Sequence, residues 1–313
     1  MLHLPGQTLP DWAAHCAEIR SGGAGIIEGL PIGDYHGTRA LLGNTSLGIA
    51  QFKSGRHFKH WLDNGYAENE TEAKLLGNAL HCAVLEPDEF SRRYAVTPYF
   101  GPLQLPKNRT RRDAWVQEQR GKIILPNRTR DDIDTLAMLT GQRDALLTHP
   151  HLGRLFKRGT PELTALMVDP ATGIAIKVRG DWVDEDAGVF VDVKRAIDAS
   201  EEGMRRAAKE HHYIVQDPLY CRVFEANDVH IEHFVFAAVE PVPPYAVGFY
   251  QVSDAGRLAG EHYYQTALMR VARWVEQGYF PHYNEDKPIE LGVTNWTLEH
   301  AETNHNAESA NYG

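Results

Sequence analysis

At 313 residues, with 42% hydrophobic and 24% charged side chains, the chain has an ordinary globular composition. It can bury a large core, as one big α/β domain or two smaller ones. No apolar run reaches transmembrane length, and the opening residues MLHLPGQTLPDWAAH lack the charged and apolar blocks of a signal peptide, so the expected compartment is the cytosol. The widely spaced Cys16, Cys82 and Cys221 exclude a disulfide framework and an iron–sulfur motif.

The pattern predicts a short helix from Asp11 to Ile19, then turns around Ser21-Gly22-Gly23. Asn44-Thr45-Ser46 offer caps to a helix running through Ile49 and Phe52 towards His60. From about Glu70 to Leu85, the residues Leu75, Leu76, Leu80, Val84 and Leu85 recur at helical spacing, and Pro87 stops the run. Pro98 to Pro126 is rich in Pro, Gly and Arg and reads as a long loop with little packing. Between Leu105 and Arg130 lie Lys107, Arg109, Arg111, Arg112, Arg120, Lys122, Arg128 and Arg130, opposed only by Asp113 and Glu118. That segment carries +6 and leaves −16 on the rest of a chain whose total is −10. A focused basic surface on an acidic body suits phosphate binding; a solvated loop has the same composition.

Asp131 to Leu147 reads as an amphipathic helix. A β-meander follows: Leu163 to Val168, a turn over Asp169-Pro170-Ala171-Thr172-Gly173, Ile174 to Val178, and Val189 to Val193. Ser200, backed by Glu201 and Glu202, starts a helix to about His212. Strands Phe234 to Val239 and Val247 to Val252 precede a helix from Leu258 to Gln277, closed by Gly278. No repeat or composition break divides the chain. Residues 1–42 read as an N-terminal segment and 43–299 as one domain carrying the basic loop 105–130. The polar tail 300–313 is expected to be disordered.

The chemistry sits in Gly180-Asp181 and Val189-Phe190-Val191-Asp192-Val193-Lys194. On a strand, Asp192 and Lys194 project from one face, and their β-branched and aromatic neighbours mark that strand as buried. A buried carboxylate and ammonium are costly unless partnered, and a divalent metal with a phosphate would partner both. A lone D-x-K is more often a solvated ion pair on an edge strand, so its company decides. His81 stands on the apolar-patterned helix, Glu162 opens the first meander strand, and Gln216 and Tyr220 lie one helical turn apart.

In order, Gly77-x-x-x-His81, Glu162, Gly180-Asp181, Asp192-x-Lys194 and Gln216-x-x-x-Tyr220 resemble the RecB-like branch of the PD-(D/E)XK nuclease superfamily. Within it, the chain looks most like the exonuclease VIII (RecE-type) family. Leu76-Gly77-Asn78-Ala79-Leu80-His81 with Leu85-Glu86-Pro87, Asn108-Arg109-Thr110, and Tyr213 to Tyr220 carry the likeness, which spans about Gly43 to Tyr283. The chain departs from the family at Arg195-Ala196, where threonines commonly follow the lysine. Pro218 also falls inside the Gln/Tyr motif, which suggests that Asp217 caps a new helix with Pro218 at its first position.

The resemblance implies an α/β fold of α+β character, with a central mixed β-sheet flanked by helices and an N-terminal helical region. It implies Mg²⁺ or Mn²⁺ held by Asp181, Asp192, His81 and the Val193 carbonyl, with Glu162 nearby. Lys194 would position or help deprotonate the attacking water, while Gln216 and Tyr220 would hold a phosphate or the lysine. Lys107, Arg109, Arg111, Arg112, Arg120 and Lys122 would track the DNA backbone. The implied protein, bacterial or phage-encoded, digests linear duplex DNA 5′→3′ and leaves 3′ tails for recombination. It would act as a ring-like homo-oligomer with a single-strand annealing partner. The alternatives are an endonuclease or repair nuclease of the same superfamily, and a non-catalytic DNA-end-binding scaffold.

Overall fold

A computed structural model describes residues 1–14, 23–65 and 71–292. Its centre is a six-stranded mixed sheet. The strands are β1 (Ala24–Ile27), β4 (Thr160–Val168), β5 (Ala175–Asp184), β6 (Val189–Arg195), β7 (His233–Val239) and β8 (Val247–Tyr250), in that spatial order. All neighbours are antiparallel except β6 and β7, which run parallel from Val189↔His233 to Arg195↔Val239. The parallel pair needs a crossover, supplied by helices α10 (Glu201–Glu210) and α11 (Tyr213–Glu225). A small parallel pair, β2 (Tyr94–Val96) with β3 (Ile123–Leu125), stands apart.

Alternation along the strands divides the core into two layers. Phe190, Phe234 and Phe236 pack with Leu219 and Phe224 of α11, with Leu47 of α3 (Asn44–Phe52), and with Leu268 and Val271 of α12 (Asp254–Gln277). Val191, Val193, Val235 and Ala237 face the other way. They meet Leu76 and Leu80 of α5 (Glu72–Leu85) and Met138 and Leu139 of α8 (Thr135–Thr148). Each buried Val, Leu, Met or Phe among them stabilises the fold by about 1.5–3 kcal/mol.

The helix boundaries have local causes. Thr71 caps α5 by accepting the Lys74 N–H, Ser200 caps α10, and α12 ends on the left-handed Gly278. The run expected from Asn44 to His60 is two helices, because Ser54 caps a second one, α4 (Gly55–Asn64). The expected start at Glu70, the end of the Asp11–Ile19 helix beyond Ala14, Cys16 and the tail 300–313 lie outside the described residues.

Pro98 to Pro126 is not a loop. Pro106 opens α7 (Pro106–Glu118), and β3 follows. Proline at the first helical position is pre-set for the helix and loses only an N–H that would be orphaned there. No glycine or further proline then intervenes before Gly121. Among the described residues, no helix is long and apolar enough to cross a membrane.

Candidate active site

The site forms where β5 and β6 part. Their pairing runs Asp184↔Val189, Val183↔Phe190 and Trp182↔Val191, and the next two residues are Asp181 and Asp192. There the Asp181 carboxylate replaces a backbone carbonyl: its Oδ2 accepts the Val193 N–H at 2.8 Å. From the α5 side, His81 brings Nδ1 to 3.4 Å from the same oxygen. Glu162 adopts φ 52° and interrupts the β4–β5 ladder between Pro161↔Trp182 and Leu163↔Gly180. One ligand atom each from His81, Glu162 and Asp181 lie within 4.8 Å of one another. The Val193 backbone is close enough to His81 to act on its pKa.

Asp192 belongs to a second group. It is 2% exposed, and its Oδ2 lies 2.6 Å from the Lys194 ammonium. This is an ion pair rather than a well-aligned hydrogen bond, which leaves Oδ2 with unused acceptor capacity. Gln216 closes the ring: its Nε2 donates to Asp192 Oδ1, and its Oε1 accepts from Lys194 Nζ at 3.2 Å. The ammonium also sits 4.8 Å from the Tyr213 ring centre. Tyr220 is buried one helical turn beyond Gln216.

Asp217 does not cap a new helix. The helix α11 runs unbroken through Pro218, so Gln216 and Tyr220 share a face. Proline there leaves the Ile214 carbonyl without its helical donor. Gly260 of α12 packs directly over that carbonyl, where a Cβ would lie 1.8 Å from the oxygen. Asp217 points the other way, into an ion pair with Arg257 at 3.3 Å.

Electrostatics separates the two groups. Burial, reinforced by Asp181, pushes Glu162 up to about 7. Burial and the Asp192 charge push Asp181 up to about 8. Burial lowers the His81 pKa, which favours the neutral imidazole that can ligate a metal. For Lys194, burial opposes the charge, but Asp192, Asp181 and Tyr213 outweigh it and the pKa is raised. Two carboxylates reluctant to ionise and a neutral imidazole make a donor set that fits a hard divalent cation such as Mg²⁺ or Mn²⁺.

The basic residues lie elsewhere, on and just after α7. Within that helix only Asn108 is buried; Lys107, Arg109 and Arg111 are exposed, as is Arg120 beyond it. Arg112 pairs with Asp113 at 2.6 Å and Lys122 is half-buried. Arg128 and Arg130 are tied to Asp132 and Glu72. Sequence reasoning missed Arg179, which lies 3.3 Å from the Glu162 carboxylate. Its only signal was its place two residues before Asp181 on the same strand.

A mixed sheet whose splayed strands present Asp181, Asp192 and Lys194, with helices covering both faces, defines the PD-(D/E)XK class of fold. A family model described as "PDDEXK-like domain of unknown function (DUF3799)" matches residues 49–288, and the chain belongs to that family. A crystal structure of a protein from Eubacterium rectale, named "Putative exonuclease", is similar with a TM-score of 0.50 at 11% sequence identity. The match covers 82% of this chain and 92% of that one, and the likeness is one of fold. No curated protein matches the chain.

Proposed function

We propose that this protein is a divalent-metal-dependent nuclease that hydrolyses phosphodiester bonds of DNA, with His81, Glu162 and Asp181 as the cation site. The observation that carries this reading is the half-buried cluster of those three residues beside the Asp192–Lys194 pair. A cation held there would neutralise charge on a phosphoryl oxygen and acidify a water molecule. Asp192, with an acceptor oxygen turned towards Lys194, holds the ammonium at the mouth of the cluster. Lys194 orients the attacking water and stabilises charge that develops on the phosphate. Gln216 fixes both partners, and Tyr220 lies beside it on the same face of α11. The exposed arginines and lysines on and after α7 follow the phosphate backbone without reading bases.

The finer reading is an exodeoxyribonuclease acting 5′→3′ on linear duplex ends with Mg²⁺. It would leave 3′ tails for an annealing partner and work as a homo-oligomer in recombination. The ordered motifs from His81 to Tyr220, and their likeness to the RecE-type family, support it. The test is digestion of end-labelled linear duplex against covalently closed circles, with and without Mg²⁺. Release of nucleotides from linear ends alone supports the exonuclease. Cutting of circles would make it an endonuclease. DNA binding without hydrolysis in any divalent metal would sink the enzymatic reading in favour of an end-binding scaffold.

A further inference from the structure

Arg179 is 9% exposed and has no part in the roles above. Its Nε lies 3.3 Å from Glu162 Oε2 and donates to the Glu162 backbone carbonyl at 3.3 Å. Its Nη2 donates to the Leu30 carbonyl, and the guanidinium lies 5.0 Å from the Tyr35 ring centre. Lys177, two residues back on the same strand face, sends its ammonium to the carbonyls of Tyr35 and Thr38 and lies 4.5 Å from the same ring. Two buried cations of β5 thus strap residues 30–38 against the sheet. That segment precedes the region 49–288 matched by the family model.

Glu162 needs such a grip. Its left-handed backbone, at φ 52°, is one that a non-glycine residue keeps only where its surroundings impose it. One guanidinium takes both the backbone oxygen and the carboxylate of this residue. It is anchored at its far end by Leu30 and flanked by Tyr35. Its Nε serves both Glu162 oxygens while Nη2 holds Leu30, a fixed spacing that the planar guanidinium supplies and a flexible ammonium reproduces only in part.

We propose that Arg179, held by the Leu30 carbonyl and the Tyr35 ring, is a positioning residue that fixes the backbone of Glu162 and aims its carboxylate at His81 and Asp181. The N-terminal segment 30–38 is then part of the support of the cation site. This inference rests on reading that cluster as the site of a divalent cation, and it adds the group that assembles it.

The experiment combines metal-free crystal structures of the full chain with Mn²⁺ titration calorimetry on wild type, R179Q, E162Q and the double variant. In R179Q, Glu162 should turn away from His81 and Asp181, and the Mn²⁺ Kd should rise about tenfold, as for loss of a group that orients a ligand. In the E162Q background, removing Arg179 should cost no further affinity, because Arg179 acts through Glu162. R179K should recover part of the loss. A Glu162 carboxylate still in place in R179Q, or an equal affinity loss in both backgrounds, overturns the proposal. If R179Q does not fold, R179K carries both measurements, with a displaced Glu162 and a smaller affinity loss expected. Wild type that binds no Mn²⁺ would defeat the cation reading, while the crystal structures would still decide whether Arg179 holds Glu162.

Discussion

Two groups of polar side chains meet at the end of β5 and β6, and they are in opposite electrostatic states. Asp192, Lys194 and Gln216 form a closed ring in which charge is matched within the protein, with acceptor capacity left on one Asp192 oxygen. His81, Glu162 and Asp181 crowd together with two carboxyls pushed up to about 7 and 8. The first group balances its charge by itself; the second gains from an added positive charge. The contrast divides the labour of a hydrolytic site: one half holds a catalytic group in place, and the other carries the cost of burying carboxylates, which a cation relieves.

The largest effect should come from breaking the charge-matched half. Lys194→Met removes a charge at the reacting centre, so turnover on linear duplex should fall about 10²–10³-fold while cation and DNA binding persist. It also strands a buried carboxylate, and loss of one partner of a buried pair costs roughly 3–5 kcal/mol. Asp192→Ala should likewise abolish turnover and lower the melting temperature, since it strands Lys194 instead. The double variant should regain much of that stability but no activity. Two single variants with wild-type melting temperatures would show that the ring is not matched in this way.

The second half gives a pH dependence of opposite sign to the usual acid denaturation. Glu162 and Asp181 hold their protons more tightly folded than unfolded. Their contribution to metal-free stability is therefore full below about pH 4, the ordinary carboxylate range. It is lost as pH rises through about 7 and 8. Mn²⁺ should remove that loss and release protons on binding between those values. Thermal melting across pH 4–9 with and without Mn²⁺ checks it, and a metal-free protein that gains stability over this range through these groups would contradict it. Asp181→Asn should flatten the metal-free profile and weaken Mn²⁺ binding.

The smallest effect concerns α7. Neutralising Arg109, Arg111 and Arg112 together should weaken DNA binding alike for all sequences. The slope of log affinity against log salt should flatten by up to about 0.9 for each DNA phosphate that the variant no longer neutralises. Hydrolysis at saturating DNA should not change, because these residues lie outside both halves of the site. An unchanged salt slope would leave the helix merely solvated.

Whatever depends on neighbours a few residues apart is legible in the amino-acid sequence alone. The alternation Phe190, Val191, Asp192, Val193, Lys194 sets which side chains face which layer, because a strand's period is two. Ser200 and Gly278 mark helix ends through caps that act within one turn. The same local logic misleads at two prolines. Pro106 and Pro218 look like breaks, yet one starts a helix and the other is carried inside one because Gly260, far away in sequence, packs over the freed carbonyl. The partition of the polar residues came instead from the packing of distant elements. It set Asp192 into a ring with Lys194 and Gln216, brought Glu162 to His81 and Asp181 through a left-handed backbone, and put Arg179 behind it. Those outcomes depend on burial and on distances between residues up to a hundred positions apart. Desolvation and Coulomb energy are set by that proximity in space, and no local pattern records it.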